Sequence, residues 1–253
     1  MKNNSETHDS FNIEIRSEVS GNLQLQKTLI ANRYAILSRS CQNITFSKPI
    51  LRLNGLGVVY PNTINVIQGK KGVHKSRLTE LIAACFLDKA KGDFLGFTRE
   101  MEQPIVVLYV DTERNQVDQF PFALQRIKLK AGYNKEDMPS NLDCISLINI
   151  PRSNRFEVLS DYIEGIRRMH KNHHFLIILD VSTDCVENFN DVSECMKLID
   201  LMNELINQQN VTFLAVIHEN PGTEKARGHI GTEIINKPHK SCKLVLRMMK
   251  KHS

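Results

Sequence analysis

Between Gly69 and Ser76 the chain reads GKKGVHKS, with two glycines, three lysines and a hydroxyl in eight residues. Residues of these types at this spacing can grip phosphate. Successive backbone N–H groups curl around an anion where a helix begins. A lysine then neutralises terminal phosphate charge, and the following hydroxyl holds Mg²⁺. Lys75 and Ser76 take those two roles. Gly69, Lys70, Lys71, Gly72, Val73 and His74 form the expected cradle, and Arg77 follows it. The pattern G-x-x-x-x-G-K-[ST] is matched except at His74, where the pattern has glycine. A histidine there needs room for its ring and makes a positive φ costly. Two consequences stay open: a weaker grip, or an imidazole that approaches the phosphates. The competing reading of the whole stretch is a Gly/Lys-rich turn that caps a helix.

Acids follow two apolar runs. FLIILD places Asp180 at the end of a strand-like run. Ligands of open α/β sheets lie beyond the carboxyl ends of strands, so Asp180 can join Ser76 in holding Mg²⁺. The alternative is an acid that only caps the next loop, and Asp184 reads as a turn residue. VVLYVDTE places Glu113 just past another run, where a base would polarise a water that attacks a γ-phosphate; Asp111 is expected to fix the loop by hydrogen bonds. A third run, TFLAVI, ends in His218-Glu219-Asn220, and His218 is positioned to sense the γ-phosphate.

The elements that must position these groups are legible in outline. Near-continuous β-branched and apolar runs at 63–68, 105–110, 142–148, 175–179 and 211–217 predict strands covered on both faces. Helical periodicity at 76–90, 116–131, 155–171 and 191–208 lies between them, with Asn190 or Asp191 as N-cap for the last. Alternation of this kind predicts βαβ units: an α/β, three-layer fold with a mostly parallel central sheet and helices on both faces. Residues 243–249 can add an edge strand. Residues 1–48 are expected to form an N-terminal arm, loose to residue 24 with a short helix over 25–37, and residues 49–253 the main domain.

Composition bounds the reading. Of 253 residues, 41% are hydrophobic and 24% charged, which excludes disordered, collagen-like and disulfide-scaffold classes for the whole chain. The net charge of +5 permits nucleic-acid contact without arguing for it. Six cysteines without a C-x-x-C pair fit a reduced, cytoplasmic setting. The polar N-terminus does not read as a signal peptide, and no run approaches the roughly 20 apolar residues of a membrane span, so no membrane partner is expected. His170, His173 and His174 read as a basic helix end rather than a zinc site. With aromatics at 6% and no tryptophan, a stacking platform for single strands is not evident.

Taken together, GKKGVHKS, VLYVDTE, FLIILD and FLAVIHENPGTEKARGHIGTE resemble the RecA-like P-loop ATPase core, and most closely its RepA-type hexameric helicase branch, over roughly residues 49–247. The resemblance implies ATP and Mg²⁺ as ligands, Glu113 as catalytic glutamate, Asp180 as Walker B aspartate and His218 as the strand-end histidine. It implies that Arg227, or Lys225, reaches the nucleotide of a neighbouring subunit, so that the sites lie between copies in a homo-oligomeric ring, a hexamer in that branch, or a filament, with single-stranded DNA as a partner. His74 departs from the family glycine. Two rivals belong to other classes: a nucleotide-binding regulatory or assembly module with little turnover, and a small-molecule kinase using the same loop.

Overall fold

The computed structural model describes residues 6–87, 89, 92–100, 103–220 and 243–246. They divide into two units, Met1–Phe46 and Ser47–Ser253.

In the first unit one helix, α1 (Glu6–Ser40), replaces the expected loose arm and short helix. Its sequence contains no proline and one glycine, Gly21, so nothing within it interrupts helical hydrogen bonding. Its apolar residues point in two directions: Leu23, Ile30, Tyr34 and Leu37 along one line, Leu25, Leu29 and Ile36 along another. All seven are exposed. A search for one stripe reads such a segment poorly.

The second unit is built on six parallel strands in the order β6-β5-β7-β8-β3-β9. They are β3 (Ile64–Gly69), β5 (Ile105–Asp111), β6 (Leu142–Ser146), β7 (His174–Asp180), β8 (Val211–His218) and β9 (Lys243–Leu246). The first five coincide with the runs read from sequence. β9, the expected edge strand, pairs with β3. Helices α2 (Lys75–Leu87), α3 (Gln119–Lys130), α4 (Arg155–Arg167) and α5 (Val192–Gln209) cover the sheet. Asp191 caps α5 by accepting the Glu194 N–H at 3.0 Å, which decides between the two cap candidates.

Pleating explains why the strands are apolar throughout. On β5, Val106, Leu108 and Val110 join the cluster formed with α4 and α5, whereas Val107 and Tyr109 join that formed with α2 and α3. β7 divides alike, Phe175, Ile177 and Leu179 against Leu176 and Ile178. β5 and β7 therefore each face two cores, and a polar residue on either side would be buried. The result is an α/β fold with helices on both faces of a parallel sheet.

A small antiparallel sheet, β2-β1-β4, formed by β1 (Leu51–Leu53), β2 (Leu56–Val59) and β4 (Phe97–Arg99), was not anticipated. Asn54 and Gly55, at φ of 49° and 82°, make the two-residue turn between β1 and β2. Its Leu51, Val59 and Phe97 join the α2–α3 cluster.

α4 stops short of its expected end. The Arg167 guanidinium donates to the carbonyls of His170 (3.0 Å) and His173 (2.6 Å), tying the chain into a turn. His174 is no part of a helix end. It opens β7, wholly buried, with its ring nitrogens on Asn210 Oδ1 (2.9 Å) and Thr212 Oγ1 (2.8 Å).

Candidate functional site

Parallel pairing aligns the strand tips. Gly69 is in register with His218, and Asp111 with Asp180. The four residues close β3, β8, β5 and β7, so the loop after β3 and the acids after β5 and β7 share one edge of the sheet.

After Gly69 the chain turns through Lys70–His74 and enters α2, whose first capping bond runs from the Leu78 N–H to the His74 carbonyl at 3.1 Å. Gly72 and His74 both take left-handed φ values, 85° and 63°. The strain expected at His74 is therefore present, in a residue whose side chain is exposed to the cleft. Val73 is buried between them and anchors the loop. Lys70, Lys71 and Arg77 are exposed, giving the loop a positive rim.

Lys75 is 5% exposed, and its ammonium donates to the carbonyls of Gly69 (2.9 Å) and Lys70 (2.8 Å). Burial lowers its pKa, while Asp180, Glu113 and Glu219 pull the other way. Ser76 lies beside Asp180, a carboxyl that burial pushes up and that Arg114 and then Ser76 pull down. The hydroxyl and carboxylate are thus neighbours at the base of the loop. They suit a divalent cation whose remaining ligands come from phosphate or water. Among the described residues no group of three or more His, Cys, Asp or Glu could hold a metal by itself.

Glu113 and His218 meet at the mouth. The Glu113 carboxylate is half exposed, 3.6 Å from His218 Nε2. Its pKa is lowered chiefly by the His218 imidazole that faces it, against the effect of burial. Asp111 fixes the turn, its Oδ1 accepting the N–H groups of Glu113 (3.1 Å) and Arg114 (2.7 Å). The tips of β5 and β7 are further stitched by Thr112, whose N–H donates to the Asp180 carbonyl at 2.9 Å and whose hydroxyl accepts the Val181 N–H at 2.8 Å.

Loop and acids open on a cleft of about 500 Å³. Six residues of its neighbourhood were not singled out from sequence. Glu80 is buried on α2 and accepts from Arg114 and Arg126. Tyr109 donates to Asp180 Oδ2 at 3.0 Å and shares a 2.6 Å hydrogen bond with Thr79. Phe122 lines the cleft as an exposed ring, with the Arg126 guanidinium 5.0 Å from its centroid. The available signals were Glu80's position one turn beyond Ser76 and Arg114's place directly after Glu113. Lys225 and Arg227 lie outside the described residues.

A second cavity, of about 540 Å³, lies between α4 and α5 and is lined by residues including Arg152, Phe156, Glu194 and Lys197. It mixes opposite charges around apolar side chains.

No protein-family model matches the chain, and no curated protein matches it. Among the described residues no helix is long and apolar enough to cross a membrane.

Proposed function

We propose that this chain binds MgATP in the cleft beyond β3, β5, β7 and β8 and hydrolyses it as a RecA-like P-loop ATPase. The observation that carries this reading is the convergence of Lys75, Ser76, Asp180, Glu113 and His218 on one cleft from four parallel strand tips. The loop amides and Lys75 hold the phosphates, for which the ammonium exchanges its contacts with Gly69 and Lys70. Ser76 and Asp180 would hold Mg²⁺, which supplies charge neutralisation at the phosphates when bound. Glu113, outside the loop and partly solvated, orients the attacking water and takes its proton. General-base assistance of this kind is worth about 10²–10⁴-fold. His218 faces Glu113 at 3.6 Å and reports the γ-phosphate to it. The exposed ring of Phe122 offers a stacking face for the base.

The finer reading is a RepA-type motor: a homo-oligomeric ring in which Arg227 or Lys225 completes a neighbour's site, acting on single-stranded DNA in replication, recombination or mobile-element transfer. The deciding measurement is the steady-state ATPase rate of size-defined oligomer with and without single-stranded DNA. Turnover that rises with DNA supports the motor. A bound nucleotide without turnover supports the second reading, a regulatory or assembly module. That reading is favoured by His74 inside the cradle, a non-glycine residue held at a costly left-handed φ with its side chain lining the cleft.

A further inference from the structure

Arg114 directly follows Glu113, and its guanidinium joins the acids of the site. Nε donates to Asp111 Oδ2, Nη1 to Glu80 Oε1 at 2.9 Å and Nη2 to Asp180 Oδ2 at 3.3 Å. These carboxylates belong to the tip of β5, to α2 and to the tip of β7. The side chain is 17% exposed, and the guanidinium carbon lies 5.3 and 5.4 Å from the ring centroids of Tyr109 and Phe120. Asp111 is the pivot. One oxygen takes the guanidinium, while the other takes the backbone N–H groups of Glu113 and Arg114. The carboxylate that fixes the Glu113 backbone is thus itself held by Arg114.

We propose that Arg114 is a positioning residue for the hydrolysis described above, on which this inference rests. It acts through Asp111 on Glu113 and through Asp180 on the contact with Ser76, so the water-orienting loop and the β7 tip keep one spacing. The requirement is for a guanidinium. A planar fork presents donors in several fixed directions and can serve three acids at once. An ammonium is a compact point charge on a flexible stem and cannot span them. Arg126 and Arg77, the other arginines on Glu80, make no bond to Asp111 or Asp180 among the contacts described, so they do not duplicate the link.

The test compares wild type, Arg114→Lys, Arg114→Met and, as a control for general destabilisation, Leu159→Ala in the opposite core. Three readouts are taken: hydrogen exchange of the nucleotide-free protein, affinity for a fluorescent ATP analogue with Mg²⁺, and single-turnover hydrolysis. Both Arg114 variants are expected to raise exchange over residues 112–115 about tenfold, with α4 unchanged. They should keep nucleotide affinity within about threefold and slow hydrolysis by about 100-fold, the scale of an ångström-level misplacement. Lysine should not rescue. Leu159→Ala should lower the melting temperature and leave the rate alone. Exchange that rises uniformly, hydrolysis that is unchanged, or affinity that falls as far as the rate overturns the proposal. A wild-type protein that binds no nucleotide overturns the hydrolysis reading and this one with it, whereas a defect confined to the variants concerns Arg114 alone.

Discussion

Glu113 Oε1 lies 3.6 Å from His218 Nε2, a carboxylate after β5 meeting an imidazole that ends β8 across the intervening β7. The His218 imidazole is the largest influence lowering the Glu113 pKa from 4.5. A general base works ionised, so the acid limb of hydrolysis in the wild type falls below that value. His218→Ala removes this influence and leaves burial, which raises the pKa. The acid limb is therefore expected to move to higher pH, as read from kcat/KM against pH. An unmoved limb separates Glu113 from the base role.

Glu113→Gln keeps the shape of the side chain and removes its capacity to take a proton. Hydrolysis should fall by about 10²–10⁴-fold, with nucleotide affinity retained. Lys75→Met differs in kind, because it takes away the ammonium meant for the phosphates. Both affinity and turnover should be lost, which titration with a fluorescent nucleotide and a single-turnover assay distinguish.

His74 holds φ at 63° in a loop where glycine would do so freely. The left-handed conformation costs a non-glycine residue about 1–2 kcal/mol, partly offset by glycine's larger unfolded-state entropy. His74→Gly should therefore stabilise by about 1 kcal/mol and raise Tm by roughly 2–4 °C, measured by thermal unfolding without nucleotide. A lower Tm shows that the imidazole makes contacts worth more than the strain.

His174 titrates against the fold. Burial lowers its pKa from 6.5, opposed by the hydrogen bond to Asn210. The folded state thus prefers the neutral ring. Its contribution to stability is complete above about pH 6.5 and is lost as pH falls toward the folded pKa. Urea unfolding should show wild type losing stability relative to His174→Gln between neutral and mildly acid pH. A pH-independent difference between the two rejects this role.

Strands β3, β5, β7 and β8 were legible because each is buried on two faces, and on β5 the alternation of Val106, Leu108 and Val110 with Val107 and Tyr109 leaves no polar position to interrupt the run. The loop Gly69–Ser76 was legible because its residues are contiguous. Other features were harder. β1, β2 and β4 have 3, 4 and 3 residues, too short for a period to show. α1 was legible as helical only over its second half, where Leu25, Leu29, Ile30, Tyr34 and Leu37 recur at helical spacing. His174 looked like part of a basic helix end, because nothing local marks a histidine that will be paired across the sheet.

From the sequence alone came the covalent order of chemistry: a phosphate-type loop after one apolar run, acids after two others, a histidine after a fourth. Neighbours in sequence suffice for that, since a tight turn and a helix start depend on adjacent backbone. Tertiary structure alone decided which of these groups meet. The strand order β6-β5-β7-β8-β3-β9 sets Asp111 beside Asp180 and Gly69 beside His218. It also turns Arg114, one more basic residue in the linear chain, into the link between Glu80, Asp111 and Asp180. Pairing between strands far apart in sequence depends on how the two cores are shared across the sheet, and no local pattern encodes it.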